Sequence, residues 1–483
     1  MDMAFIRKVP TKSGATAVQI IYKKYGQITN IDHIGSAHNP KELDTLVALA
    51  KQRLQGTQQS LFPDIAASFT IHLKQSFSSL LWQILRQQYD LLGFAQLDDD
   101  VFAALCIARL VEPTSKLDSL RVLADLGIDQ FKRDQLYRCL QMVIENNYRD
   151  TISQVCFNHS VKKGLSLLLY DVTTLYFEVQ QEDDYRKSGI SKERRLEPQI
   201  VIGLLVDQSG FPLGLHSFKG NTAETKTILP VVQAFCAQHG IDKLTIVADA
   251  AMLSANNLSA LAKAGYTYIV GSRLHKIPYD IAQYQKSQTL NDQQIIVSQY
   301  PEYRVIYQYR EKRASLDMKN IQKQIDKAEK IVTGQAVATK AKFLTLKAKT
   351  KQLNQTLIDK AYALAGIKGY VTNLDIPNQQ VIDYYHQLFQ VEASFRMAKA
   401  DLKARPIFHW KHDSIEAHLT IVLTSLAVGR NIEAKTGISI KQFVKIIRPI
   451  RSGVVIINGQ EYPAKEIIPD LVQNLLRKLD SGH

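Results

Sequence analysis

The 483-residue chain reads as an α/β protein. A mixed-sheet core with a mixed β/helical insertion is expected, preceded by a small α+β module and a helical region. Three observations predict this. Short apolar runs recur between residues 165 and 271 and alternate there with helical periodicity. A long, polar, basic stretch over 275–365 interrupts that rhythm before a strand-like run resumes at Ile367. The chain also exceeds what one hydrophobic core ordinarily serves, which predicts about two to four domains.

The elements follow in order. Residues 1–60 form the α+β module. Val18, Ile20 and Tyr22 alternate as in a half-buried strand, and 28–34 is a second β candidate. Asn39-Pro40-Lys41-Glu42 has the chemistry of a helix start: a capping Asn, Pro at the first helical position, and Glu three residues after the cap. Leu43, Leu46, Val47 and Ala50 continue at helical spacing.

Residues 61–160 are expected to be helical and to bind DNA. The apolar run over 101–110 is stopped by Glu112-Pro113, and a second helix runs through Leu117, Leu120 and Leu123 to Gly127. Short helices with tight turns suit a helix-turn-helix reader. They suit a plain helical scaffold equally well, because no recognition helix stands out.

Residues 161–274 and 366–435 form the expected core. The run over 165–170 ends in Asp171, 200–206 and 211–218 complete a β-meander, 225–238 is helical, and 244–248 is a strand ending in Asp249. A strand at 266–271 and a helix over 378–404 are also expected. In the insertion, residues 310–360 carry thirteen Lys or Arg against five Asp or Glu. Such a run is ordinarily a solvated helix face, and a phosphate-contacting arm is the competing reading. Residues 436–483 make a C-terminal tail region with a hairpin near Asn458-Gly459.

Composition narrows the function classes. Hydrophobic residues make up 45% and charged residues 22%, as in ordinary globular proteins. No leader-like or bilayer-length apolar run occurs, so a cytoplasmic, nucleoid-associated protein with no membrane partner is expected. Cys106, Cys139, Cys156 and Cys236 lie far apart and read as small buried hydrophobes rather than zinc ligands. A net charge of +14 favours a polyanionic partner, nucleic acid first.

Three acids carry the chemistry. Asp171 and Asp249 each follow an apolar strand, where ligand groups collect in open sheets, although either alone also reads as a cap or turn residue. Tyr385, Glu392 and Lys399 stand seven residues apart and share one face of the expected helix. Leu388, Val391 and Phe395 lie beside them. Glu and Lys near such an apolar stripe need ions, phosphate or each other; an exposed polar stripe is the alternative. Strand, strand, strand, helix, strand, with an acid after the first strand, describes a ribonuclease-H-like core.

Tyr385-x2-Leu388-x3-Glu392-x6-Lys399 resembles the Y-x2-R-x3-E-x6-K signature of DDE transposases from bacterial insertion elements. Tyr170-Asp171-Val172-Thr173-Thr174, Val247-Ala248-Asp249-Ala250, Gly220-Asn221-Thr222-Ala223-Glu224 and Arg405-Pro406-Ile407-Phe408-His409 are similar to further blocks of that family, in the same order. The resemblance covers roughly residues 165 to 430. It implies that Asp171, Asp249 and Glu392 are both the catalytic triad and the ligands of two Mg²⁺ ions, with Mn²⁺ as a substitute. It implies DNA contacts at Tyr385, Lys399, Arg396 and Arg405. Double-stranded DNA, as element ends and target, would be the partner of a homodimer or larger assembly.

The chemistry agrees with the residue types. Hard Mg²⁺ prefers carboxylate oxygen, and two ions about 3.5–4 Å apart suit phosphodiester cleavage. The three carboxylates are therefore expected to converge within about one such span. Leu388 departs from the signature, which has Arg there, and Arg396 is a candidate replacement. A metal-dependent nuclease without joining activity and a degenerate DNA-binding copy remain the alternative functions.

Overall fold

The computed structural model describes residues 3–11, 14–55, 71–178, 181–189, 196–252, 254–337, 341–347, 350–457 and 459–480. The chain divides into two compact units, Met1–Leu73 with Val455–Tyr462, and Lys74–Val454 with Pro463–His483.

In the first unit, strands Met3–Pro10, Thr16–Lys24 and Gln27–Ala37 form an antiparallel sheet. Helix Pro40–Gln55 packs on it around Val18, Ile20 and Ala50. The expected capping box is present. Asn39 Oδ1 accepts from Glu42 N at 2.9 Å, and the Glu42 carboxylate accepts from His38 N at 2.9 Å. The first strand was not anticipated, because Arg7 and Lys8 obscure its alternation.

The second unit begins with helices Ser79–Leu91, Asp100–Val111, Ser119–Asp125, Arg133–Glu145 and Tyr148–Lys162. One departure from the helical reading is a strand at Ile71–Phe77, immediately upstream. Asp99 caps the second of these helices by accepting from Phe102 N at 2.9 Å.

The central sheet follows. Strands β1 (Leu167–Tyr176), β2 (Gln199–Val206) and β3 (Pro212–Lys219) form the antiparallel meander. Strand β4 (Thr245–Ala248) lies parallel to β1, and β5 (Thr267–Ser272) parallel to β4. Strands β6 (Ile295–Gln299) and β7 (Arg304–Tyr309) come from the insertion, and β8 (Ile367–Thr372) follows it. The sheet order is β6-β7-β8-β5-β4-β1-β2-β3. Its last five strands have the ribonuclease-H-like arrangement, and the insertion strands continue the same sheet through β8.

Helices α1 (Ile228–His239) and α2 (Ala255–Lys263) make the connections into β4 and β5. Helix α3 (Glu311–Val332) carries much of the basic run, yet buries Ala314, Ile321, Ile325, Ala328 and Ile331. With Phe343 and Ile358, from α4 (Gln355–Ala363), it encloses a small core of its own. Helices α5 (Asn378–His386), α6 (Phe389–Arg396) and α7 (His412–Thr436) complete the unit.

Helix α7 is apolar on nearly every side and buried throughout, from Ile415 to Ile432. Its half-buried acid, Glu416, receives Arg149 Nη1 at 2.6 Å, Tyr185 Oη at 2.5 Å and Ser217 Oγ at 2.7 Å. That network fastens the upstream helices to the sheet. The four cysteines are buried and unpaired. No described helix is long and apolar enough to cross a membrane.

Candidate active site

Register brings the two aspartates together. In the parallel pairing of β1 with β4, Tyr170 stands opposite Ala248. Asp171 and Asp249 are the next residues, so they sit side by side on strands spaced about 4.8 Å apart. Asp249 follows the end of β4 as expected. Asp171 does not end its strand: β1 continues to Tyr176, paired only on its other side with β2. What ends at Tyr170 is the parallel ladder, and the cleft opens there. Asp171 is 8% exposed and Asp249 half-buried.

The residues spaced by sevens do not ride on one straight helix. The helix expected over 378–404 breaks at Gln387-Leu388, between α5 and α6, and becomes a π-helical turn at Met397–Asp401. Leu402 N accordingly donates to Met397 O, five residues back, at 2.9 Å. Tyr385 ends up on α5, Glu392 on α6 and Lys399 in the π turn.

Tyr385 is buried and donates from Oη to Asp249 Oδ1 at 3.1 Å. Ala250 N donates to the same oxygen at 2.7 Å. Gly271 of β5 makes room for the hydroxyl, since a Cβ at that position would stand 2.6 Å from it. Burial, then the charge of Asp249, pushes the Tyr385 phenol far up, so it stays a donor. Lys399 donates from Nζ to Thr173 Oγ1. Thr173 is two residues beyond Asp171 and on the same face of β1, so the π turn presents Lys399 beside the first aspartate.

Glu392 is exposed on α6. Among the described residues no three His, Cys, Asp or Glu side chains are grouped closely enough to hold one ion. Lys368 of β8, a residue the sequence reading passed over, feels the charge of both Asp249 and Glu392. The Lys368 ammonium lies 4.4 Å from the centroid of the Tyr385 ring and 5.7 Å from that of Tyr370. Burial and nearby Arg313 lower its pKa, while Asp249 and Glu392 act to hold its proton. A charged residue inside the otherwise apolar run Ile367-Lys368-Gly369-Tyr370 was the available signal.

A cavity of about 780 Å³ begins at Asp249 and Tyr385 and extends into the insertion. Arg313, Lys342, Lys360 and Lys368 line it, with Asp317 as a second acid. Part of the basic run therefore faces this cavity and is not solvated surface alone.

The remaining candidates divide. Arg405 lies 5.5 Å from the centroid of the Tyr176 ring, and Ile407 N donates to Tyr176 O at 3.1 Å, which ties this segment to the far end of β1. Arg396 is exposed on α6; burial raises the pKa of the Asp401 carboxyl, and Lys441 and Arg396 only partly oppose that rise. Leu388, in the signature's Arg position, is 7% exposed and packed in the core, so the position makes no polar contact from its side chain.

The donor set fits a hard divalent ion. Asp171 and Asp249 offer adjacent carboxylate oxygens, and among the described residues no Cys or His groups with them.

Residues 162–428, more than half of the chain, match the family described as the transposase DDE domain. No curated protein matches the chain. Among solved structures it is similar to a piggyBac transposase in a synaptic complex with hairpin DNA. The identity is 12% and the TM-score 0.41, over 74% of this chain and 70% of that one, a loose overlap.

Proposed function

We propose that the chain, which belongs to the transposase DDE-domain family, binds the ends of an insertion element, cleaves DNA there and joins the freed end to target DNA. The observation that carries this reading is the Tyr170–Ala248 register, which sets Asp171 beside Asp249, itself part of the lining of a cation-rich cavity. Asp171, Asp249 and Glu392 would hold Mg²⁺, with Mn²⁺ as substitute. Bound there, two ions supply activation of the attacking oxygen and relief of charge on the leaving one.

The chain's own residues do the positioning. Tyr385 and the Ala250 amide hold Asp249 by its Oδ1. Carboxylates alone repel a phosphodiester, and Lys368, Lys399 and Arg313 offset that repulsion. Water attacks first and frees a 3′-hydroxyl; that hydroxyl then attacks the target strand. Arg396 and Arg405 would contact the DNA backbone on either side. The helices upstream of residue 160 would read the element end, in a homodimer or larger assembly that pairs two ends.

A labelled duplex carrying a free 3′-hydroxyl end, incubated with Mg²⁺ and target DNA, tests the reading. A joined product that disappears in Asp171→Asn is expected. Cleavage without joining would leave a nuclease. Joining that survives Asp171→Asn would refute the site.

A further inference from the structure

Away from the carboxylates, a second cavity of about 710 Å³ opens between the upstream helices and the segment after the π turn. Arg109, Lys116, Lys403, Arg405, His409 and His418 line it, and among the described residues no Asp or Glu does. Arg109 and Lys116 are each 6% exposed, and His418 is 4% exposed.

The hydrogen bonds orient each group. Arg109 Nη1 donates to Leu402 O at 2.7 Å and Lys403 O at 3.2 Å, which fastens the guanidinium in place with no counter-charge. His418 Nε2 lies 3.2 Å from Ala404 O, a pure acceptor, so that nitrogen carries the proton. Nδ1 is then a lone pair, and it faces Lys116 Nζ at 3.4 Å. The imidazole is neutral and gives Lys116 an acceptor but no negative charge. The acid just outside, Asp118, is already engaged by the Thr114 hydroxyl at 2.7 Å and by Arg121 at 2.9 Å.

Buried cations are ordinarily paired, because removing a charge from water costs several kcal/mol. Here the cost shows in the protonation: burial, then Arg109, holds Lys116 well below the usual lysine range. His409 is likewise brought down to about 4 by burial, then by Lys116 and Arg109. A packing role alone would be served better by Leu or Met of the same volume. Tyr137 and Phe408, 44% and 66% exposed, line the same cavity and offer ring faces beside the cations.

We propose that this cavity binds a phosphate group, gripped by Arg109 and Lys116, with Lys403 and Arg405 at the rim. The volume exceeds that of a bare ion, and the aromatic faces suit the remainder of a nucleotide. The phosphate belongs either to a DNA strand or to a small free phosphate. The strand source rests on the proposed function, whereas the phosphate chemistry does not.

Calorimetric titration of the full-length protein with inorganic phosphate, and separately with a 5′-phosphorylated duplex, tests the site. Saturable phosphate binding is expected. It should weaken about tenfold or more in Lys116→Met and recover in Lys116→Arg, as befits a charge-assisted bond. Lys403→Glu reverses an exposed rim charge without threatening the fold, and should weaken phosphate binding several-fold. If the duplex displaces phosphate and loses affinity in the same variants, the ligand is a strand phosphate. If duplex and phosphate bind together, it is a small phosphate. Unchanged phosphate affinity in Lys403→Glu and in folded Lys116→Met overturns the proposal. A chain that never cuts DNA would refute the proposed function and leave the phosphate titration as it stands.

Discussion

The end of the β1–β4 ladder and the cavity around Arg109 are opposite answers to one electrostatic problem. At the first, two carboxylates are set side by side and a third lies nearby, with Lys368 and Arg313 across the cleft. At the second, buried cations converge with no acid among them. The Arg149–Glu416 pair shows what the same fold does when charge is purely structural, for there each charge meets its opposite at 2.6 Å.

Four measurements would break or sharpen that contrast. The largest effect is expected from Asp171→Asn, which should lower strand cleavage by roughly 10³-fold while leaving DNA binding intact, since the change removes charge where the reaction needs it. Loss of DNA binding instead would make Asp171 a structural residue.

Next, Glu416→Gln should destabilise the fold by about 3 kcal/mol, read by chemical denaturation, because Arg149 is left half-buried and unpaired. Burial opposes ionisation of Glu416, but Arg149, Tyr185 and Ser217 prevail and lower its pKa. A lowered carboxyl stabilises the fold above its unfolded pKa. That contribution is lost as pH falls through the folded value, below the usual carboxylate range. The variant should therefore show a flatter acid limb.

Lys116→Met should act with the opposite sign and raise stability at neutral pH, by about 1–2 kcal/mol without phosphate present. Lys116 is held below its unfolded pKa, so the unfolded chain binds more protons and wild-type stability climbs with pH towards the normal lysine range. The variant should lack that climb. A variant less stable than wild type would mean that Lys116 is already paired.

The smallest effect is expected at Gly271→Ala. The added Cβ would crowd the Tyr385 hydroxyl off Asp249, and cleavage should fall about tenfold with little change in melting temperature. Unaltered cleavage would show that Tyr385 does not position Asp249.

Much of this was legible in the chain. Asp171 and Asp249 could be read because continuous apolar runs precede them, and a buried parallel strand has that pattern. The capping box at Asn39 was legible because it depends on adjacent residues. The helix break at Gln387-Leu388 was not, since neither Gly nor Pro marks it and the apolar stripe passes through unchanged. The extension of the sheet by β6 and β7 was hidden too: pairing partners far apart in the chain, such as Arg304 and Thr372, leave no local trace. The cationic cavity was out of reach for a related reason. Its members come from residues 109–116 and 403–418, and composition counts charges without saying which lack opposites.

The π turn at Met397–Asp401 has a consequence for how this stretch tolerates change. One extra residue in a helical turn rotates everything after it by about 100°. Lys399 meets Thr173 through that offset, and the chain must then reach Tyr176 in time to dock Ile407. Point substitutions between Glu392 and Arg405 are thus local events, whereas a single-residue deletion would swing Lys399 off the strand and undo the docking together. A single-residue deletion here therefore disturbs two contacts at once, where a replacement that spares Lys399 and Ile407 disturbs neither.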